Sequence, residues 1–121
     1  MRTTTTPDGK MMVHEEAVAC VAGLAALDCP GVAGMAARGL HDGLAEILGH
    51  DNPHRGVEVE LDERRCAIAL DVIVTFGVRI ADVAEELIRR VRTAVERSTG
   101  FPVERVEVNV QGVRRPGEEG V

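Results

Sequence analysis

The fold of this 121-residue chain is decided by residues 57–76, VEVELDERRCAIALDVIVTF. Apolar side chains occupy alternate positions from Val57 to Leu61, and again from Cys66 to Phe76. The four residues between these runs are all charged, which suits a solvent-exposed turn. Because successive side chains of a strand point to opposite sides, this pattern predicts a β-hairpin with one apolar face.

A long amphipathic helix is predicted to follow the hairpin. Apolar residues recur at intervals of three and four from Ile80 to Val95, and Gly100 follows as a stop signal. Alternation then resumes over residues 106–110 and predicts a final strand. Because Leu87 is expected in the core, its replacement by Asp should be among the most damaging single changes.

The outer face of this helix carries pairs of opposite charges. Glu85 precedes Arg89 by four residues, and Glu86 precedes Arg90 by the same interval. Side chains four residues apart are neighbours on a helix surface, so each pair is expected to contribute about 0.2–0.5 kcal/mol. We interpret this charged run as a solvated helix face.

The N-terminal part is predicted to contain a short strand and a helix. Gly9–Val13 is the expected strand, and the helix is expected over Glu15–Leu27, with two carboxylates in its first turn. Residues 1–8 are expected to form a disordered leader, and residues 114–121 a flexible tail. A single domain is therefore predicted over residues 9–113.

The predicted order is strand, helix, short helical turns, strand, strand, helix, strand. The turns are expected near Leu44, Ile47 and Leu48, inside a long glycine-rich connection over residues 32–55. This order predicts an α+β two-layer sandwich in which both helices cover one face of the sheet. We expect ferredoxin-like connectivity between its strands.

Composition and charge limit the classes of partner. The formal net charge is −6 and aromatic residues make up 2% of the chain, so base stacking and phosphate binding are both disfavoured. The uncharged run 17–27 is too short to cross a bilayer, and no direct membrane insertion is expected. Cys20, Cys29 and Cys66 form no CxxC pair, as expected for reduced thiols in a cytoplasmic protein.

Candidate catalytic and metal-binding residues are few. His50 and His54 flank a polar loop whose Pro53 opposes the regular helix that would align two histidines. His41 and Asp42 are neighbours in sequence, which does not make them an acid–base pair in space. We therefore expect no metal, no cofactor and no enzymatic activity.

Gly31-Val32-Ala33-Gly34 resembles the GxxG loop of KH RNA-binding domains, which clamps a nucleic-acid backbone. The two central residues here are apolar, and the chain as a whole is acidic. RNA binding through Gly31 and Gly34 is retained as the alternative function.

The second face of the longest predicted strand is a candidate interaction surface. Ala67, Ala69, Asp71, Ile73 and Thr75 alternate with the apolar series and point away from the helices. A sheet face without helices is expected to be more polar, so this strip could contact a second copy or a partner. The alternative is that residues 32–55 fold over it.

A series of short motifs appears in a familiar order along the chain. Ahead of the hairpin they are GKMMV (9–13), DCPGV (28–32), DGLAEILG (42–49) and GVEV (56–59). They continue with LDVIVTFG (70–77), IADVA (80–84), TGFPV (99–103) and VEVNV (106–110). This ordered set resembles the alkaline shock protein family, the Asp/Gls general-stress and envelope-stress-response proteins of bacteria. His14, Cys29 and Phe76 depart from the residues usual in that family.

The resemblance implies a non-enzymatic cytoplasmic protein involved in the envelope or alkaline stress response. It implies no catalytic residues. Some members are recruited to the membrane by a small integral anchor protein, so peripheral membrane association through a partner is expected. We therefore expect an interaction module that forms a homo-oligomer or docks on a membrane-anchored partner through a sheet face or edge.

Overall fold

The computed structural model describes residues 1–36, 47–48 and 53–115. Within these residues the chain forms two helices and seven strands. The helices are α1 (Glu15–Leu27) and α2 (Ile80–Thr99). The strands are β1 (Arg2–Thr6), β2 (Gly9–Val13), β3 (Val32–Ala36), β4 (Ile47–Leu48), β5 (Val57–Leu61), β6 (Cys66–Thr75) and β7 (Arg105–Arg114).

The two helices and the hairpin lie where the sequence predicts them. In α2 the residues at helical spacing, Val83, Leu87, Val91 and Val95, are buried. The helix ends at Thr99 and is followed by Gly100, whose left-handed φ of 78° favours glycine. The turn between β5 and β6 is closed by Asp62 Oδ1, which accepts hydrogen bonds of 2.8 Å from two successive backbone N–H groups.

Strand β6 is the centre of a five-stranded sheet. It pairs in parallel with β7 from Ala67 to Thr75, and this pairing occupies one of its edges. The other edge is antiparallel to β5 at residues 66–70 and to β3 at residues 72–74. Because β7 already takes one edge, β3 and β5 must lie end to end along the other. β4 extends the sheet beyond β3.

Both helices cover the same face of this sheet, so the core lies between one helical layer and one sheet layer. The buried side chains are mostly aliphatic, in keeping with the low aromatic content. The sheet contributes Cys66, Ile68, Leu70, Val72 and Val74 from β6, while the helices contribute Val18, Ala22 and Ala26 from α1 and the four buried residues of α2.

The predicted ferredoxin-like connectivity is not found in the structure. In a split β-α-β arrangement another strand separates the two parallel strands, whereas β6 and β7 are direct neighbours here. Strand β2 also does not join the main sheet, because it pairs with β1 in a separate two-stranded sheet. The coarser prediction of an α+β fold with two helices is confirmed.

Four local predictions are also corrected. Residues 2–6, expected within a disordered leader, form β1 because every residue pairs with one in β2. Ile47 and Leu48, expected in a helical turn, form a strand against Ala36 and Met35. Residues 32–36, the start of the expected loop, extend the sheet as β3. Arg114 of the expected tail belongs to β7, and residues 116–121 lie outside the described part of the chain.

Candidate functional site

The five residues predicted as an interaction surface lie together on the face of β6 that points away from the helices. Their burial differs from that of an open patch: Ala67, Asp71 and Ile73 are only 5%, 4% and 3% exposed. Ala69 is half-buried, and Thr75 is exposed. The structure therefore brings the five residues together but leaves little of their surface accessible.

The alanines are recessed because longer side chains flank them on both neighbouring strands. Ala67 lies between Glu60 of β5 and Arg105 of β7, and the next row places Glu58 and Glu107 on either side of Ala69. The trough between these charged side chains has a volume of only about 50 Å³. Four charged residues line it, so this region does not form a contiguous apolar docking patch.

Asp71 is held within the same face by a structural hydrogen bond. Gln111 Nε2 donates a hydrogen bond of 3.0 Å to Asp71 Oδ1. Gln111 is the extra residue at a bulge in β7, where the pairing with β6 passes from Val110 directly to Gly112. A bulge that re-aims a side chain depends on strand pairing, so local sequence gave no signal for this contact.

The Gly31–Gly34 segment does not form the loop required by the RNA-binding alternative. Gly31 has a φ of +93°, and its carbonyl oxygen accepts a 2.9 Å hydrogen bond from the backbone N–H of Thr75. Gly34 is already inside β3, paired with Ile73 of β6. Because sheet pairing holds this segment instead of a turn between two helices, the geometry does not support the KH-like alternative.

The candidate metal and acid–base residues are only partly described. His41, Asp42 and His50 lie outside the described residues, and His54 lies in the turn before β5. Within residues 1–36 and 53–115, no three His, Cys, Asp or Glu side chains gather closely enough to hold a metal ion. Burial raises the pKa of the Cys29 and Cys66 thiols, which favours the less reactive protonated form.

A different surface is formed by α1, which carries no charged residue after its first turn. Three of its sides are covered: one by the sheet, one by the backbone of Pro53 against Gly23, and one in part by α2. A fourth side remains open. There Leu24 is 44% exposed, and Val21 and Ala25 are half-buried.

The open side of α1 forms one wall of a groove with a volume of about 650 Å³. The opposite wall is α2, and the floor is largely apolar because Val21, Leu24 and Ala25 face Ala94 across it. Polar and charged side chains surround this floor. They are Asp28 from the end of α1, and Arg89, Arg90, Thr93, Arg97 and Ser98 from α2.

The arginines give the groove a positive rim in a protein of net charge −6. Glu86 accepts hydrogen bonds from both Arg89 and Arg90, the latter at 2.6 Å, and these two partners lower the pKa of the Glu86 carboxyl. The expected Glu86–Arg90 pair is therefore present. Arg89 contacts Glu86 and not the expected Glu85. Among the described residues, Arg97 has no hydrogen-bond or ion-pair partner.

The lining of this groove suits the binding of a partner and contains no group arranged for catalysis. Apolar contact area lies beside guanidinium groups that donate to carboxylates, an arrangement suited to an amphipathic partner. The sequence carried one signal for this groove, the uncharged run 17–27. A helix with one solvated face normally carries charged residues there, so their absence indicates a side of α1 that is not adapted to water. Its position beside the α2 arginines depends on helix packing.

The fold is thus an α+β domain in which a helix pair covers one face of a five-stranded sheet and leaves an arginine-rimmed groove at the surface. The chain belongs to the alkaline shock protein 23 family, described as having a cell envelope-related function, and the match covers residues 3–115. This confirms the resemblance to the alkaline shock proteins. The matched residues include most of β1, which was expected to lie outside the domain.

Three bacterial relatives align over most of their length. The uncharacterized protein YloU of Bacillus subtilis is 39% identical over 107 residues, which cover 88% of this chain and 89% of YloU. The uncharacterized protein Spy1614 of Streptococcus pyogenes is 28% identical over 114 residues, which cover 93% of this chain and 94% of Spy1614. The uncharacterized protein YqhY of Bacillus subtilis is 29% identical over 106 residues, which cover 88% of this chain and 78% of YqhY.

No solved structure matches this chain. As for membrane spans, neither described helix combines the length and hydropathy needed to cross a bilayer.

Proposed function

We propose that this protein is a non-enzymatic interaction module of the bacterial envelope stress response that docks on a membrane-anchored partner. Its family supports the envelope-related role. The observation that carries the docking proposal is the open apolar side of α1 beside the arginines of α2. An exposed Leu24 at the centre of this surface loses contact with water only when a partner covers it.

The partner is a small integral membrane protein that presents an acidic, amphipathic cytoplasmic segment. Its apolar side chains would pack on Leu24, and its carboxylates would lie near Arg97 and the Arg89–Arg90 pair. The net negative charge of the remaining surface works against direct attachment to anionic lipid headgroups. Attachment through a protein is therefore preferred over attachment through lipid.

Site-specific photo-crosslinking in intact cells tests this proposal. A photoreactive amino acid at Thr93, exposed on the groove, is compared with one at Thr75, exposed on the opposite sheet face. We expect adducts with a small integral membrane protein from position 93 and not from position 75. Adducts from position 75 alone would move docking to the sheet face predicted from sequence.

Matched substitutions supply the second readout, the amount of protein in the membrane fraction. Leu24→Glu and Arg97→Glu should lower it. Met12→Glu and Arg64→Glu are the matched controls, because each also replaces an apolar residue or an arginine with glutamate at an exposed position away from the groove. They should leave the amount of membrane-associated protein unchanged. Unchanged membrane association of Leu24→Glu, together with no membrane adduct from position 93, would refute docking through the groove. Membrane association that persists after all candidate anchors are deleted would refute docking through a partner.

A further inference from the structure

Strand β7 leaves one long edge unpaired. Nine of its ten residues, all but Gln111 at the bulge, pair with β6 on one side, and no described strand pairs with the other side. An edge of this length presents backbone N–H and C=O groups that can form a ladder with another strand. Strand β7 is therefore a place where the sheet can be extended.

The side chains along this edge are not fully covered by α2. Val106 is buried, but Val108 and Val110 on the same face are only half-buried, and Val113 is 45% exposed. A strand added beside β7 would remove the half-buried valines from water. The edge thus offers both unpaired backbone groups and apolar surface.

We propose that β7 pairs antiparallel with β7 of a second copy, with the two-fold axis perpendicular to the sheet at Val108. This axis places Val108 opposite its own copy, Val106 opposite Val110, and Glu107 opposite Asn109. The helices of both copies then lie on the same side of one continuous sheet.

The regular part of β7 selects this register. A ladder over residues 106–110 ends before the bulge at Gln111, whose side chain donates a hydrogen bond to Asp71 of β6. Moving the axis by one residue to Glu107 would set two carboxylates directly opposite each other, which is unfavourable. Moving it the other way to Asn109 would force the ladder through the bulge.

The opposite side of the sheet is less suited to self-pairing. The outward row of β5 carries Glu58 and Glu60, which would repel the same residues of a second copy. The N-terminal amine also bonds to the carbonyl oxygen of Leu61 at the end of β5. Among the described strands, β7 combines length, apolar side chains and a register without like charges.

The dimer is expected to be weak, because pairing of two single strands falls at the low end of interface sizes, below about 1,200 Å². It uses no residue of the α1–α2 groove. Self-pairing and docking on a membrane partner can therefore fail separately: Leu24→Glu should leave dimerisation unchanged, and β7 variants should leave the position-93 adduct unchanged.

Sedimentation equilibrium of the full chain over a wide concentration range measures the dimer directly. Asn109→Glu places a new carboxylate opposite Glu107 twice per dimer and should weaken dimerisation about two- to thirtyfold. Adding Glu107→Lys to it restores opposite charges and should recover the affinity. A thermal unfolding curve of each variant confirms that the monomer is folded.

Disulfide formation tests the register in a Cys20→Ser background, since Cys20 is the one native cysteine that is not buried. Val108→Cys should give a symmetric disulfide dimer under mild oxidation, because directly opposed Cβ atoms lie about 4.5–5.5 Å apart. Val113→Cys is more exposed but has no counterpart across the axis, so it should crosslink more slowly. A monomer at every concentration, an effect of Asn109→Glu not reversed by Glu107→Lys, or faster crosslinking at position 113 would overturn the proposal.

Discussion

Gly23 in α1 lies directly against the backbone carbonyl of Pro53. A Cβ placed on Gly23 would stand 1.7 Å from the Pro53 carbonyl oxygen and 2.6 Å from its carbon. The segment that leads into β5 therefore crosses α1 at the one helical position without a side chain. This contact closes one side of α1 and limits the open surface to the side that faces the groove.

Gly23→Ala should destabilise the protein despite the higher helix propensity of alanine. The propensity gain is about 1 kcal/mol, whereas overpacking against backbone that cannot rotate away typically costs about 1–3 kcal/mol. Urea unfolding followed by circular dichroism measures the difference. Gly9→Ala is the control, since nothing lies within 4 Å of a Cβ at that position. Equal stabilities of the two variants would contradict the close approach.

Leu87→Ala should cost about 2–5 kcal/mol of unfolding free energy, because Leu87 is fully buried between α2 and the sheet. Leu87→Asp should cost more, since it also buries a carboxylate without a partner. Denaturant titration of the Leu87→Ala variant and of the unaltered protein measures this difference in unfolding free energy. Exposed Ile80 on the same helix is the comparison, and Ile80→Ala should change stability by less than about 1 kcal/mol.

The three thiols should react with a disulfide reagent in two classes. Cys20 is half-buried, whereas Cys29 and Cys66 are buried and have pKa values raised by desolvation. At neutral pH we expect one cysteine to be labelled in the folded protein and all three after unfolding. Mass spectrometry of digested samples identifies the modified residue. Rapid labelling of Cys66 in the native state would contradict its burial in the core.

Glu86→Gln should destabilise the protein at neutral pH and have no such effect in acid. The paired arginines hold the pKa of Glu86 below the ordinary 4.5, so its contribution is present above that pH. It is lost as the pH falls through the lowered value, where the native carboxyl also becomes neutral. Melting temperatures of both proteins at pH 7 and in strong acid test this. The difference should be small, because the carboxylate lies at the surface.

Local patterns were sufficient for α1, α2 and the β5–β6 hairpin. The bounds predicted for α1 match the structure: an uncharged run follows Glu16, and Pro30, which cannot continue a helix, comes three residues after Leu27. The hairpin follows from alternation and from Asp62, whose carboxylate accepts bonds within its own turn. Each of these signals acts between residues close in sequence.

Other elements depended on distant partners. The threonine run of β1 has no apolar alternation, and it becomes a strand only through β2. The five candidate residues of β6 share a face as predicted, but their burial follows from Glu58, Glu60, Arg105 and Glu107 on neighbouring strands. The groove likewise requires α1 and α2 to lie side by side.

By itself, the sequence determined an α+β domain with two helices over one sheet face, and it identified the family through an ordered set of short motifs. Tertiary structure alone decided that β7 lies beside β6, that Gln111 reaches Asp71, and which side of α1 stays open. The physical reason is that periodicity and turn signals arise between near neighbours in the chain. Strand order, recessed side chains and a groove between helices arise from packing between segments far apart in sequence.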